Sequence, residues 1–592
     1  MDYANIKSLP AMFRATVAER GDRPFLWAKA GGLYQPSSWN EVARAVDRLA
    51  RGLIALGIMP GDRVALAAES RPEWVIADLA IMSARAISVP TYTTNTIDDH
   101  RHILGDSGAR AVITSGGALA GRVAAATAQS PGVKATVAMD AGAPHGMLGW
   151  NEVLELGDRQ PEDMAARIAA LDPNDIACLI YTSGTGGLPK GVILTHRNIV
   201  ANCYGAYKLL EMLGLGDEVF LSFLPLSHSY EHTAGLMFPI SIGAEIYFAE
   251  GADTLATNLV EAQPTIMTAV PRLYETMHQR IRRGIERERG LKRRLFEQAV
   301  AIGRKRLKGE PLRASERLFD PLLEKLVRDK VRARFGGRLK AMVSGGAPLN
   351  PEIGSFFLAL GVQLLQGYGQ TEAAPVIACN RPGAIKIDTV GPPLEGVRIK
   401  IAEDGEILVA GDNVMKAYWN DPEATARTVS NNWLATGDVG YLDADGYLRI
   451  TDRKRDFIKN SGGDMIAPAK IEGALTLAPE IAQAMVSGDQ RPHLVALIVP
   501  DPEFAAQLAG AGAELAELTE HPGLVKALSD VLARVNASLP PNERVRRFII
   551  AREPFTTANG QLTPTLKIRR HVVRAVYGAA LDALYEGRGI AA

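Results

Sequence analysis

The chain has 592 residues, more than one hydrophobic core normally organises, so two or three domains are expected. Hydrophobic residues make up 47% and charged residues 22%, the balance of an ordinary soluble globular protein. Basic and acidic residues number 66 each, which argues against nucleic acid as the main partner, and no apolar run approaches the ~20 residues needed to cross a bilayer.

Cys178, Cys203 and Cys379 are widely spaced and have no metal-ligand partners nearby in sequence. That pattern excludes a disulfide framework or structural zinc site and suits a reducing compartment. The start, Met1 to Lys7, lacks a basic-then-apolar leader, so a cytoplasmic location is expected.

Ser38-x-x-Glu41 is a capping box opening a helix with Val42, Val46, Leu49, Leu53, Ile54 and Leu56 on its apolar face, stopped by Gly57. Gly61-Asp62 turns into a short strand, Arg63–Ala67. A second helix runs from Glu73 to about Ala84, and a strand follows to Pro90. This alternation predicts a largely parallel sheet with helices on its faces. The apolar run Ile176–Ile180 reads as a buried strand.

The stretch Tyr181-Thr-Ser-Gly-Thr-Gly-Gly-Leu-Pro-Lys190-Gly191 follows that strand and should leave the carboxyl end of a sheet, where open α/β folds bind ligands. Its glycines allow close backbone approach, its hydroxyls and N–H groups make an anion nest, and Lys190 adds a point charge. It is a phosphate loop of neither common type. Lys190 follows Pro189 and precedes Gly191, which breaks the Walker pattern, and Pro189 stands where a dinucleotide fingerprint needs its third glycine.

From Pro271 to Arg338 basic residues outnumber acidic ones. Runs occur at Arg282-Arg283, Lys292-Arg293-Arg294 and Arg304-Lys305-Arg306, with Leu, Ile and Phe at helical spacing between them. The segment reads either as a solvated helical hairpin or as a surface for an anionic membrane. Near Thr451–Asp456 the pattern shifts from hairpin-like strands to a short mixed α/β segment, which marks a domain boundary. The Ala/Gly/Glu-rich stretch Ala505–Glu517 reads as plain helix.

The phosphate loop resembles, nearly residue for residue, the signature of the acyl-adenylate-forming enzymes, the family of the acyl-CoA synthetases and luciferases. Gly186 stands where that signature has the second threonine of a Thr-Thr pair, a change that implies tuning of the phosphate grip. Further motifs follow in family order. They are Leu224-Pro-Leu-Ser-His228 running into Ser-Tyr-Glu231-His232, Ala341-Met-Val-Ser344-Gly345-Gly346-Ala347-Pro348, Gln366-Gly367-Tyr368-Gly369-Gln370-Thr371-Glu372, Thr436-Gly437-Asp438, and Leu562-Thr-Pro-Thr-Leu-Lys567. The Leu224–His232 and Leu562–Lys567 motifs, with the basic helical segment, are similar to those of the long-chain fatty acid–CoA ligases.

The resemblance implies an α/β protein in which residues 1–452 form a large domain of mixed, mostly parallel sheets with flanking helices and a β-barrel-like part. A hinge at 453–457 and a small mobile α+β domain at 458–592 would follow. It implies that Thr182, Ser183, Gly184, Thr185, Gly187 and Lys190 hold phosphate, with Thr185 and Glu372 on Mg²⁺. Gly345, Gly346 and Ala347 would meet adenine; Gln366, Gly367, Tyr368 and Gly369 continue the nucleotide site, with Tyr368 stacked on the base. Thr371 would bond a phosphate oxygen, and Asp438 and Arg453 the ribose. His228 would lie near the carboxylate end of the acyl pocket, whereas His232 reads as structural. Lys567 would bridge the substrate carboxylate and the α-phosphate. Arg455 would be the pivot, and Ser461, Gly462 and Gly463 would line a pantetheine tunnel.

The implied reaction joins a fatty acid, ATP and coenzyme A in two steps through acyl-AMP, in a monomer or homodimer that does not bind nucleic acid. Location would be cytoplasmic, with peripheral contact at the inner face of the membrane if the basic helices bind lipid. Medium-chain, short-chain and aromatic acids stay open as substrates. So does a fatty acyl-AMP ligase serving a carrier protein, although no restraining insertion is evident before Arg453. An inactive lipid-binding homologue would be expected to lack Lys190, Glu372 or Lys567, and all three are present.

Overall fold

The structure, a computed structural model, describes residues 1–592 except 143, 183–187, 252, 289, 455–456, 463, 510–513, 564–565, 587–589 and 592. The sequence signals near the start fold as expected. Ser38 and Glu41 form a reciprocal capping box for the helix Trp39–Ala55, which buries Val42, Val46, Leu49 and Leu53. The strand Arg63–Ala67, the helix Pro72–Ser83 and the strand Ile87–Thr91 follow in order.

Two eight-stranded sheets dominate. In one, the parallel strands Arg63–Ala67, Ile87–Thr91 and Ile176–Thr182 lead to the antiparallel strand Lys190–Thr195, with Ala417–Tyr418 at the edge. In the other, Val219–Ser222, Ile266–Ala269, Ala341–Ser344 and Leu364–Gly369 run parallel. A five-stranded antiparallel sheet includes the hairpin Trp433–Leu442 and Leu448–Arg453. Residues beyond 458 pack round their own cores, with Ile471, Ile481, Leu494 and Phe548 buried between sheet and helices.

The basic segment differs from the expected solvated hairpin. It forms helices Pro271–Arg287, Leu291–Leu307 and Ala314–Leu323, followed by Asp329–Arg334. Its apolar stripe buries Tyr274, Phe296, Ile302 and Leu323 against Phe356 and Phe357 of the helix Pro351–Ala359. Arg328 is buried too, donating to Asp320 at 2.9 Å and to the carbonyls of Ala299 and Ala359. Apolar residues at helical spacing outweigh charge here: apart from Arg328, the basic runs stay on the outer face while the segment becomes part of the core. The expected helix over Ala505–Glu517 is also revised. The described residues form the helix Pro502–Ala509 and a short turn at Leu515–Leu518, and 510–513 between them lie outside the described residues.

Candidate active site

The phosphate end is built where two strands meet. Thr182 pairs with Lys190 across the hairpin, so the loop is the tip between Ile176–Thr182 and Lys190–Thr195. Ser183, Gly184, Thr185, Gly186 and Gly187 lie outside the described residues. The flanks are firmly held. Tyr181 donates its hydroxyl to Asp106 at 2.6 Å, a ring nitrogen of His102 lies 3.0 Å from the Pro189 carbonyl oxygen, and Trp419 Nε1 donates to the Asp106 carbonyl at 2.9 Å. Lys190 Nζ sits 2.9 Å from Asp421 Oδ2 and 5.4 Å from the centre of the Tyr418 ring. The Tyr418 hydroxyl donates to Glu372 Oε1 at 2.8 Å. Thr371 is buried, with its Oγ1 2.9 Å from Ser229 Oγ.

Glu372 is the expected metal ligand. Mg²⁺ commonly takes only one or two carboxylates and completes its octahedron with water and substrate phosphate. A single carboxylate beside an ammonium therefore fits a Mg²⁺ that arrives with a polyphosphate. Among the described residues no cluster of three His, Cys, Asp or Glu side chains offers a resident metal site.

The nucleoside end rests on a hairpin register. Asp443 Oδ1 accepts the N–H groups of Asp445 and Tyr447 and so shapes the turn between Trp433–Leu442 and Leu448–Arg453. The resulting ladder sets Asp438 opposite Arg453, whose Nε lies 3.3 Å from Asp438 Oδ1. Tyr368 donates its hydroxyl to Asp438 Oδ2 at 2.5 Å. Burial, then the charge of Asp438, pushes the Tyr368 phenol well up, so it remains a donor. Gly345 follows the strand Ala341–Ser344, and a Cβ there would meet the Tyr230 ring at 2.9 Å. Glycine thus lets Tyr230 lie on bare backbone while its hydroxyl donates to the Val343 carbonyl at 2.9 Å. Gly346, at φ +83°, continues the turn to Ala347, and both are half-buried. Gln366, Gly367 and Gly369 lie on the strand Leu364–Gly369, where a Cβ on Gly369 would fall 2.0 Å from the Pro375 carbonyl oxygen.

At the third corner, His228 Nδ1 accepts the Tyr230 N–H at 3.2 Å, which leaves the imidazole proton on Nε2. Burial, then the charge of Lys567, pushes His228 down to about 3. Lys567 is positioned by a small loop in which Thr563 Oγ1 accepts its backbone N–H at 3.0 Å and Leu562 bridges to Ile568. His232 is fully buried and paired with Asp78 at 2.9 Å, in keeping with a structural role. The buried Glu231 accepts from Ser222 at 2.7 Å and Thr268 at 2.6 Å, and burial pushes its acid up to about 7.

The C-terminal residues also meet the large part of the chain away from these corners. Asn350 Nδ2 donates to the Gly473 carbonyl at 3.0 Å. Arg283 pairs with Asp501 and lies 3.3 Å from Glu503, which Arg287 approaches at 3.6 Å. Part of the basic segment therefore faces acidic partners in this chain. Ser461 and Gly462 are exposed in the connection of the two-stranded ribbon Ile458–Lys459 and Met465–Ile466. Arg455 and Gly463 lie outside the described residues.

Tyr418, Asp421 and Ser229 were not expected at this site. The local signal at Asp421-Pro422-Glu423 is that of a helix start, and Asp421 does cap the helix Pro422–Thr428. Nothing within a few residues of it signals Lys190.

The family model described as AMP-binding enzyme matches residues 13–419, and that described as AMP-binding enzyme C-terminal domain matches 455–589. The chain is 34% identical, over 94% of its length, to Long-chain-fatty-acid--CoA ligase FadD15 of Mycobacterium tuberculosis, 93% of which is covered. It is 30% identical, over 99% of its length, to peroxisomal long chain acyl-CoA synthetase 6 of Arabidopsis thaliana, 87% of which is covered. Among solved structures, the adenylation domain of a carboxylate reductase from Mycobacterium chelonae superposes with a TM-score of 0.77 at 24% identity, covering 99% of this chain and 92% of that one. A benzoate CoA ligase from Burkholderia xenovorans superposes with a TM-score of 0.71 at 25% identity, covering 96% of this chain and all of that one.

Proposed function

The chain belongs to the AMP-binding enzyme family, and from that premise we propose that it is an ATP-dependent long-chain fatty acid–CoA ligase that works through acyl-AMP. What supports this most is the agreement of the ordered motifs, from the loop after Thr182 to Lys567, with family matches over residues 13–419 and 455–589. The substrate class rests on long-chain fatty acid–CoA ligases that match along nearly the whole chain. The working division is a large domain at 1–452, a hinge at 453–457 about Arg455, and a small domain at 458–592.

In the first half-reaction a carboxylate oxygen attacks the α-phosphorus of ATP and the bond to pyrophosphate breaks. Two like-charged groups must approach, so the protein's task is positioning and neutralisation. Lys567 bridges the carboxylate and the α-phosphate, and Lys190, with the backbone of the loop at 182–187, takes the outer phosphates. His228 is neutral, so its Nε2–H can donate to the carboxylate without placing a second full positive charge beside Lys567. Asp438 and Arg453 hold the ribose, Tyr368 orients Asp438, and Gly345, Gly346 and Ala347 form the bare wall for adenine. Mg²⁺ bound by the phosphates would supply Lewis-acid polarisation, with Glu372 and Thr185 as its protein ligands. In the second half-reaction the coenzyme A thiolate attacks the acyl carbonyl carbon, and the C–O bond to AMP breaks. A turn of the small domain about 453–457 would withdraw Lys567 and bring Ser461, Gly462 and Gly463 to the tunnel.

The test is AMP release with ATP and Mg²⁺ across acids from acetate to stearate and benzoate, each with and without coenzyme A. Turnover that needs coenzyme A and peaks at long chains is the expected result. A peak at short or aromatic acids overturns the substrate class, and adenylate accumulation that ignores coenzyme A points to a carrier-protein acceptor. We also propose peripheral lipid contact through the exposed Lys292, Arg293 and Arg294, which charge reversal would abolish in a sedimentation assay with anionic vesicles.

A further inference from the structure

We infer that Tyr418 is a positioning residue for the phosphate end of the site. It orients the Glu372 carboxylate, while Asp421, three residues on, holds the Lys190 ammonium, so that one segment, 415–421, sets carboxylate against ammonium. The inference rests on the functional reading above, in which Glu372 meets Mg²⁺ and Lys190 meets phosphate.

The segment is tied to both elements through backbone. Met415 N–H donates to the Glu372 carbonyl at 2.8 Å. Lys416 N–H donates to Ile193 at 3.1 Å and Trp419 N–H to Gly191 at 2.7 Å, with Tyr418 opposite Val192 in the ladder. The strand beginning at Lys190 and the turn carrying Glu372 are thus stapled to the same few residues. A Cβ on Gly191 would sit 3.2 Å from Trp419 Cβ and 3.1 Å from the Tyr181 ring, so the staple is closely packed.

The side chains complete the link. A carboxylate has two oxygens, and donation by Tyr418 to Oε1 sets its plane and directs Oε2 to a metal. The Tyr418 ring face receives the Lys190 ammonium at 5.4 Å, within cation–π range. Asp421 is itself held fast: Oδ1 accepts the Ala424 N–H at 2.9 Å while Oδ2 faces Lys190. Thr425 Oγ1 accepts the Tyr418 N–H at 2.9 Å and closes the turn. An open cleft of about 420 Å³ beside Tyr418, Asp421 and Thr425 gives space at this corner.

Two consequences follow from charge. The Glu372 carboxylate keeps its orientation with or without metal, so little reorganisation is needed when MgATP arrives. Asp421 competes with polyphosphate for Lys190: it yields the ammonium when ATP binds and takes it back as pyrophosphate leaves.

The experiment measures equilibrium binding of a non-hydrolysable ATP analogue by calorimetry across a Mg²⁺ titration, with adenylation kinetics alongside. Tyr418→Phe keeps the ring and removes only the hydroxyl. It should leave metal-free analogue binding near wild type and raise the Mg²⁺ concentration for half-maximal binding by about tenfold. Asp421→Asn should tighten analogue binding by roughly threefold to tenfold, with an unchanged Mg²⁺ midpoint. An unaltered Mg²⁺ titration in Tyr418→Phe, or weaker analogue binding in Asp421→Asn with an intact thermal transition, overturns the positioning role while the functional reading stands. Wild-type binding that ignores Mg²⁺ overturns the functional reading and this inference with it.

Discussion

Tyr368 donates its hydroxyl to one oxygen of Asp438 at 2.5 Å, leaving the other oxygen 3.3 Å from Arg453 Nε. A carboxylate held between a neutral donor and a guanidinium is both oriented and charged, as a group that accepts from a ribose diol must be. Removing it strands its partners. Asp438→Ala is expected to raise the KM for ATP by about tenfold to a hundredfold, in line with the ~1.5–3 kcal/mol of a charged hydrogen bond. Tyr368→Phe should cost only a few-fold, because Arg453 still holds the carboxylate. Equal effects of the two, measured by pyrophosphate release, would count against this division of labour.

Lys567 and His228 lie far apart in the chain, and the charge of one helps to depress the other. Lys567→Ala is expected to slow acyl-AMP formation by at least about a hundredfold. Thioester formation from supplied acyl-AMP should be nearly unchanged. The same variant should let the His228 imidazole titrate at higher pH, which NMR of ring-labelled histidine can follow. Burial remains the larger cause, so the rise should be partial.

Arg283 faces Asp501 and Glu503 across the boundary between the basic helices and the C-terminal residues. Arg283→Glu would set like charges against each other and loosen the contact between the basic helices and the residues that carry Lys567. Adenylation should slow by about fivefold to tenfold, the ~1 kcal/mol scale of a partly exposed pair, and the reversal Asp501→Arg should restore it. Thioesterification of supplied acyl-AMP should not slow. Adenylation that withstands the single reversal shows that the contact is not what holds the small domain in place.

Acid stability follows from buried histidines. His100, His196 and His278 are pushed down to about 4 and His228 to about 3, all chiefly by burial. Unfolded histidines take protons below about 6.5, while these folded ones do not. The unfolded state therefore binds more protons from pH 6.5 down to about 4, and stability is lost as pH falls through that window. Glu231, pushed up to about 7, acts in the opposite sense: its contribution is present below its unfolded value and is lost as pH rises to about 7. Four histidines outweigh one glutamate, so the urea midpoint should climb as pH rises from 4.5 to 6.5. Glu231→Gln should steepen the climb. A flat or falling midpoint would contradict the buried, neutral state of these rings.

The parts of the site that were legible in sequence are those whose chemistry is complete within a few residues. The Thr436-Gly437-Asp438 turn and the Leu562–Lys567 loop carry their own local hydrogen bonds, as does the capping box at Ser38 and Glu41 outside the site, so composition and spacing betray them. His232 was likewise legible as structural, although its partner Asp78, from a distant helix, was not.

Other features depend on which surfaces pack together. Asp421 looks like a helix cap and is one, yet the edge pairing of Ala417–Tyr418 with Lys190–Thr195 also brings it to Lys190. Charge runs in the basic segment say nothing of their partners. The apolar stripe that buries Phe296 and Ile302 orients these helices, and orientation decides that Arg283 meets Asp501 while Arg293 faces solvent. The sequence by itself determined the alternating α/β order, the phosphate loop and the chemical groups available, because backbone preference and local hydrogen bonding act over a few residues. Only the tertiary structure decided that Tyr418 donates to Glu372 and that Asp421 holds Lys190, since ion pairs and hydrogen bonds between distant segments exist only after long-range packing has closed the loops between them.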